Sequence, residues 1–346
     1  MRQFRLLTTV LAAFFALSAY AWGGPPRHEF PRMGTYEVLC GDFHMHTINS
    51  DGRLTTRERV EESKRLGYDA IAITDHGKVV AYRVAKYVGD QIGLIVIRGH
   101  ESGMLKKEHY VVLGVDDTYK PVDSHRWAEG KGRETAFYQD QMENIVKHGG
   151  LIIWAHPHVG LREPTIWGIE HGIIRGLELK NDGVGGDWNT EKSHGTSWYP
   201  FAFDWAMQYD LAMLACTDAH YSRKENPAVT LLFVTERSDK GVLDAIRGRR
   251  TVAWFEGMLW GRKELLGELV GSMVTSSRSS DGKLTLKNLG PVALKGSADG
   301  KPFELTPYGE TTVDAGAGAV TVRWENVWCG LKENLTSAYG ATTLSH

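Results

Sequence analysis

The sequence predicts an α/β fold, a sheet covered by helices, followed by a smaller β-rich region. Three observations predict it. Short apolar runs alternate with helix-like segments from about Val38 to Phe255, the pattern of a parallel sheet with helical crossovers. The runs are continuously apolar, as when both faces of a sheet are buried. From about Gly257 the texture changes to short alternating strands with Gly- and Ser-rich turns, as in "LVGSMVTSSRSSDGKLTLKNLG", with no long helix evident.

The first residues are expected to lie outside the fold. Arg2 and Arg5 precede an apolar run over 6–21 that ends in the small-x-small triplet "AYA". This is a secretory signal peptide spanning 1–21, which places the mature chain in the periplasm or outside the cell. The run is short for a membrane span, so no stable insertion is expected after cleavage. Removing Arg2 and Arg5 takes the formal net charge from −2 to −4. With no run of like charge, that balance disfavours nucleic acid as a partner. Cys40, Cys216 and Cys329 are too few for a disulfide framework, and a single Cys40–Cys216 bridge stays open.

In order, "VLCGDFH" reads as a strand and "LTTRERVEESKRLG" as a helix, with Thr55 and Glu58 as a capping box and Gly67 as its stop. "DAIAITDH" is a strand, "VVAYRVAKYVGD" a helix, and "GLIVIRGHE" and "HYVVLGV" are strands. "RETAFYQDQMENIVKHGG" is a helix, then "LIIWAHP" and "IIRGLELKND" are strands. "PFAFDWAMQYD" is a helix before the strands "LAMLACTDAH" and "AVTLLFVT", and "DKGVLDAIRGRRTVAWF" closes the series as helix and strand. Residues 36–256 form the main domain and 261–346 a small all-β appendage.

The polar residues carry the chemistry. His44, Asp75–His76, Glu101, His156 and Asp218–His220 all fall at the C-terminal ends of apolar runs. In a β/α barrel those ends share one rim. His44 and His46 stand at i, i+2, so extended backbone points both to one side. "SDG" adds Asp51, "TDH" His76, "GHE" Glu101, "EHYVVLG" His109, "AHP" His156, and "TDAH" Asp218 and His220. These nitrogen and oxygen donors without thiolate suit Zn, Mn or Fe, and nine are too many for one tetrahedral ion. Two or three divalent ions sharing a carboxylate fit the number. Singly, each motif has an ordinary explanation, such as Asp75 capping a helix. Six of them at successive strand ends do not.

"DFHMHTINSDG…AIAITDHG…GHES…HYVVLG…IIWAHPH…CTDAHYS" resembles the polymerase-and-histidinol-phosphatase (PHP) superfamily, from about Val38 to Phe255. The signal peptide and β tail make the chain most similar to exported phosphodiesterase-type members. The resemblance implies a distorted seven-stranded β/α barrel and a trinuclear site. His44, His46, Glu101 and Asp218 would hold the first ion, Glu101, His109 and His156 the second, and Asp51, His76 and His220 the third. His100 stands before Glu101 where something smaller or apolar is expected, and Glu108 competes with His109.

The expected reaction is hydrolysis of a small phosphate ester, by in-line attack of a metal-bridging hydroxide that Asp218 orients. Phosphodiesters lead and phosphomonoesters follow, since no Lys/Arg cluster marks the rim. His158, Lys180 and Arg223 are candidates for gripping substrate, while Glu178 reads as rim structure. The Gly- and Trp-containing loop "GVGGDWNTEKSHGTSWYP" is long enough for a lid or is plain surface. The rivals from other classes are a metal-dependent amidohydrolase and a non-catalytic metal-binding module. Oligomeric state is not legible.

Overall fold

The computed structural model describes residues 28–105, 108–121, 137–158, 160–183, 198–223, 227–314 and 318–340. The expected signal segment and the loop residues 184–197 lie outside the described residues.

The chain runs β1 (Glu37–Asp42), α1 (Thr56–Arg65), β2 (Ala70–Ala72), α2 (Tyr82–Ile92), β3 (Ile95–Ile97), β4 (Gly99–Leu105) and β5 (Glu108–Leu113). It continues α3 (Phe137–Lys147), β6 (Leu151–Trp154), α4 (Glu163–Glu170), β7 (Ile174–Asn181), α5 (Pro200–Gln208), β8 (Ala212–Cys216) and β9 (Val229–Val234). Then come α6 (Asp239–Arg247), β10 (Thr251–Phe255), β11 (Met258–Trp260) and α7 (Lys263–Met273). β12 (Val274–Arg278), β13 (Lys283–Asn288), β14 (Leu294–Ala298), β15 (Lys301–Leu305), β16 (Glu310–Asp314), β17 (Val320–Gly330) and β18 (Glu333–Tyr339) complete it. Thr55 and Glu58 cap α1 reciprocally, so the end of that helix was correctly read from sequence.

The sheets are mixed rather than parallel. One runs β15-β14-β17-β11-β10-β9-β1-β2-β3 with β18 on β17, and a second runs β4-β5-β6-β7-β8. β1–β2–β3 and β6–β7–β8 are parallel, whereas β9, β10, β4 and β5 pair antiparallel with their neighbours. Short turns force this: β10 and β11 are joined by Glu256 and Gly257, both at positive φ, as a two-residue hairpin requires. The described pairs do not close a seven-strand ring. The run "GLIVIRGHE" instead breaks at Arg98, where the chain leaves the first sheet as β3 and enters the second as β4.

The two sheets are stitched where they meet. At one seam Glu101 N–H donates to Thr74 O at 3.0 Å. At the other, Thr230 and Thr251 hydroxyls accept from the Ala215 and Met213 amides of β8 at 3.0 and 3.1 Å. One apolar core lies between them, drawing Leu39, Ala72, Ile97, Val111, Ile153, Leu214 and Leu232 from seven strands. Val242, Ala245 and Ile246 of α6 belong to the same core.

The C-terminal region opens with a helix that the sequence reading did not see. Leu266, Leu269, Val270 and Met273 of α7 are buried in one cluster with Val252, Leu259, Trp324 and Val327. Four such side chains contribute on the order of 1.5–3 kcal/mol each. From Val274 onward every described element is a strand. β17 pairs in parallel with β11, Leu259 opposite Val327 and Trp260 opposite Trp328, and the two indoles stack at 5.1 Å. β14, β15, β17 and β18 thus continue the main sheet, while β12, β13 and β16 form a separate three-stranded antiparallel sheet. No described helix is long and apolar enough to cross a membrane.

Candidate metal centre

Two chain segments meet first. The residues after β1 and those after β8 are bonded backbone to backbone: Asp218 N–H to His44 O at 2.8 Å, His46 N–H to Ala219 O at 3.0 Å, and Arg53 N–H to His220 O at 2.7 Å. Asp42, at the end of β1, accepts the Thr217 amide and hydroxyl from the end of β8. The loop that follows His46 is folded by Asp75, which accepts from Thr47 N–H, Thr47 Oγ1 and Ser50 Oγ at 2.7–2.8 Å. Asp75 is thus the tie of this loop rather than a helix cap. A Cβ on Gly52 would lie 2.6 Å from the His46 carbonyl, so only glycine lets the loop turn back and bring Asp51 to His46.

The nine predicted donors come together in four overlapping groups: His46, Asp51, His76, His220; His44, His46, Asp218; His44, Glu101, His156; and His76, Glu101, His109. Glu101 is the hub. Its Oε1 lies 3.4, 2.9 and 3.1 Å from His44 Nε2, His109 Nδ1 and His156 Nε2. Its Oε2 lies 3.3 and 2.9 Å from His46 Nε2 and His76 Nδ1. Asp218 Oδ1 lies 3.0 Å from His46 Nε2, and Asp51 Oδ2 lies 3.3 and 3.1 Å from His76 Nε2 and His220 Nε2. Donors around a first-row ion at about 2.1 Å stand roughly 3.0 Å apart along an octahedral edge and 3.4 Å along a tetrahedral one. His156 and Asp218 sit at φ 26 and 48, left-handed backbone that non-glycine residues seldom adopt and that clusters at functional sites.

Tautomers test whether ions fit. His44 Nδ1 is 2.8 Å from Glu178 Oε1, and an ionised carboxylate can only accept, so the proton sits on Nδ1. Nε2 is then a lone pair facing Glu101 and Asp218. His220 Nδ1 likewise donates to Asp218 O at 2.8 Å, turning its Nε2 lone pair on Asp51. His44 Nε2, His46 Nε2 and Asp218 Oδ1 are buried without a hydrogen bond. Lone pairs aimed at carboxylates repel unless a cation lies between them. Burial disfavours charge on His46, yet Asp218 and Glu101 outweigh it and push the imidazole up to about 9. Burial acts to raise the Glu101 and Asp218 carboxyls, but His44 and its neighbours hold both well below the usual range. Protons on all six imidazoles would set six positive charges against four carboxylates, Glu178 included, whereas divalent ions take the lone pairs of neutral rings. The residues present therefore fit a multinuclear divalent centre.

Two ambiguities resolve by strand alternation. On β5, His109 faces Glu101, whereas Glu108 is buried on the other side beside Tyr110 and Arg162. His100 points away from the donors; it is buried, stacks on Tyr119 at 5.6 Å and meets the Tyr119 hydroxyl at 2.9 Å. Burial lowers its pKa from 6.5 to about 4. Between those values the unfolded chain binds the proton and the folded one does not. Stability is thus complete above pH 6.5 and falls by up to about 3 kcal/mol as pH drops toward 4. Urea unfolding at pH 7 and pH 5 should show this loss in the parent and much less of it in His100→Gln. Equal losses would show that acid acts elsewhere.

Glu178 has a larger part than rim structure. Besides His44, it accepts the His156 amide at 2.6 Å and Asn181 Nδ2 at 2.8 Å. Its signal in the sequence is an acid inside the apolar run "GLELKND". Of the predicted substrate residues, Lys180 and Arg223 meet at Asp182, while His158 stands beside His156. His158 Nδ1 lies 2.6 Å from His156 O, beside the donors. Lys180 is buried and pairs with Asp182 at 3.0 Å and Glu256 at 3.5 Å. Arg223 donates to Thr217 O at 2.9 Å and approaches Asp182 at 3.8 Å. Cys40, Cys216 and Cys329 are buried and form no disulfide.

Residues 42–157, which carry seven of the nine donors, match the PHP domain model. The chain thus carries a PHP domain over that segment. A crystal structure from Bacteroides vulgatus, a two-domain protein containing a predicted PHP-like metal-dependent phosphoesterase, has the same fold. Its TM-score is 0.76 at 22% identity, over 91% of this PHP chain and 98% of that one. The PolC-type DNA polymerase III of Clostridium perfringens is 34% identical over 108 residues, 26% of this chain and 7% of the polymerase. A phosphoribosyl 1,2-cyclic phosphate 1,2-diphosphodiesterase of Eggerthella lenta is 28% identical over 84 residues, 23% of this chain and 32% of the enzyme. The PHP chain spans a tenth or less of the length of the polymerases it matches first.

Proposed function

We propose that this PHP protein is an exported metal-dependent phosphoesterase acting on small phosphodiesters. The observation that carries the reading is the set of imidazole lone pairs turned on Glu101, Asp218 and Asp51. Divalent ions held there would activate water and neutralise phosphoryl charge. The chain's own residues do the rest. His44, His46, Glu101 and Asp218 are buried, while Asp51 is 51% exposed and His76, His109 and His220 are partly exposed. The ester therefore approaches over the Asp51 side. Asp218 Oδ1, without a hydrogen bond, is placed to accept the proton of the attacking water. His158, bonded to the backbone of the donor His156, would touch the substrate. Lys180 and Arg223, also proposed as substrate groups, share Asp182 and so bring little free positive charge. That favours a singly charged diester over a monoester dianion.

The test is turnover of bis-p-nitrophenyl phosphate against p-nitrophenyl phosphate by the purified chain reconstituted with Mn, Zn or Fe, with ions per chain counted. Diester turnover with two or three ions is the expected result. Monoester turnover alone would make the protein a phosphomonoesterase. Full loading with neither activity would turn attention to amide hydrolysis or a binding module. Fewer than two ions would overturn the multinuclear centre. The export reading rests on residues 1–21, and an N-terminus at or near Trp22 in the mature protein is its check.

A further inference from the structure

Arg59 lies in α1, the helix that follows the Asp51 loop, and is 1% exposed. Its guanidinium reaches three backbone carbonyls on two loops. Nε donates to His46 O at 3.2 Å, Nη2 to Ala219 O at 2.9 Å, and Nη1 to Tyr221 O at 3.2 Å. Those carbonyls belong to a donor residue, to the residue between Asp218 and His220, and to the residue after His220. Nη1 also pairs with Glu62, and Glu62 accepts from Ser222 Oγ and the Arg223 amide. One ion pair on one helix face therefore grips both "HMHTINSDG" and "TDAHYS".

A buried guanidinium beside a centre that attracts cations costs desolvation and repulsion. Apolar packing could fill the same volume. What it could not do is bond divergent carbonyls in one plane, which needs the guanidinium fork and which the point charge of lysine also lacks. Of the four donor groups, the one most dependent on the separation of these loops is His46, Asp51, His76 and His220. Like the group of His44, His46 and Asp218 it draws on both loops, but only here are three members open to solvent.

We propose that Arg59, anchored by Glu62, is a positioning residue that holds these two loops at metal-binding distance and so sets the affinity of the Asp51–His76–His220 group for its ion. The inference rests on the metal-centre reading above. Groups that orient donors without touching an ion change affinity roughly 10–100-fold when altered.

The experiment is calorimetric titration of the metal-stripped full chain with Mn or Zn, alongside thermal unfolding, for the parent, Arg59→Lys, Glu62→Gln and Arg57→Ala. Arg57 is exposed on the same helix and pairs only with Glu61 among the described contacts, so it serves as the control. The expected result is a 10–100-fold loss for the weakest-bound ion in Arg59→Lys, a smaller loss in Glu62→Gln, and parent affinity for the tighter ions. A lower Tm with an unchanged isotherm would overturn the proposal, because it would make Arg59 a matter of folding alone. Should Arg59→Lys not fold, Glu62→Gln decides: parent affinity for every ion in that variant also overturns it. A parent chain that binds no ion would show up before any variant is examined and would remove the metal centre itself.

Discussion

Glu101→Gln is expected to leave the fold intact, to bring metal content below one ion per chain and to lower diester turnover about a thousandfold. The substitution keeps shape and burial but replaces an anionic oxygen with an amide. His44, His46, His76, His109 and His156 all converge on that carboxylate, each within 3.4 Å. No other described acid touches more than one of the overlapping groups so centrally. Metal assistance to phosphoryl transfer is worth several kcal/mol, and about 4 kcal/mol corresponds to roughly three decades of rate. The checks are ions counted per chain and kcat on bis-p-nitrophenyl phosphate, with circular dichroism to confirm folding. Turnover within tenfold of the parent would mean that Glu101 does not organise the centre.

Glu178→Gln tests the tautomer argument instead. Glu178 accepts three hydrogen bonds, from His44 Nδ1, the His156 amide and Asn181 Nδ2. A glutamine amide cannot accept at both ends. If its NH2 faces His156 and Asn181, donor meets donor. If its NH2 faces His44, the ring must accept at Nδ1 and carry its proton on Nε2, where the ion would bind. Either way metal affinity should fall roughly 10–100-fold, although Glu178 itself need never touch an ion. Equilibrium dialysis against Mn or Zn measures it. An unchanged affinity would show that the ring selects its tautomer without Glu178.

The donors were legible because a strand reverses side-chain direction every residue. "HMH" and "TDAH" each put two donors two residues apart just past the ends of β1 and β8, although Asp218 takes a left-handed φ of 48 there rather than extended backbone. Runs such as "AIAITDH" and "LIIWAHP" carry their polar residues at the strand end, where local sequence already says so. Glu178 and Arg59 are different. Each acts through a partner more than a dozen residues away, His44 for the first and Ala219 for the second, and nothing local marks that pairing. The mixed sheets were hidden for a related reason. An apolar run fixes burial but not direction, and direction here follows from turns such as Glu256–Gly257 and from the break at Arg98. α7 was missed although Leu266, Val270 and Met273 follow helical spacing. Gly267 and Gly271 weaken its helix propensity, yet a Cβ at either would meet open space, so the helix carries them as a propensity cost.

The unit of chemistry and the unit of folding do not coincide in this chain. The last donor is His220, but the sheet that frames the donors runs on through β11 into β17 and β18, as far as Tyr339. A boundary drawn at Gly261 would strip β11 of its partner and leave an open strand edge carrying Trp260, a template for pairing with other chains. The tail without the α/β region would lose the strand on which β17 is laid. Either half alone is thus an aggregation hazard. The shortest piece that can be exchanged between proteins, by recombination or by design, takes in the whole sheet, even though none of the donors lies in its last third.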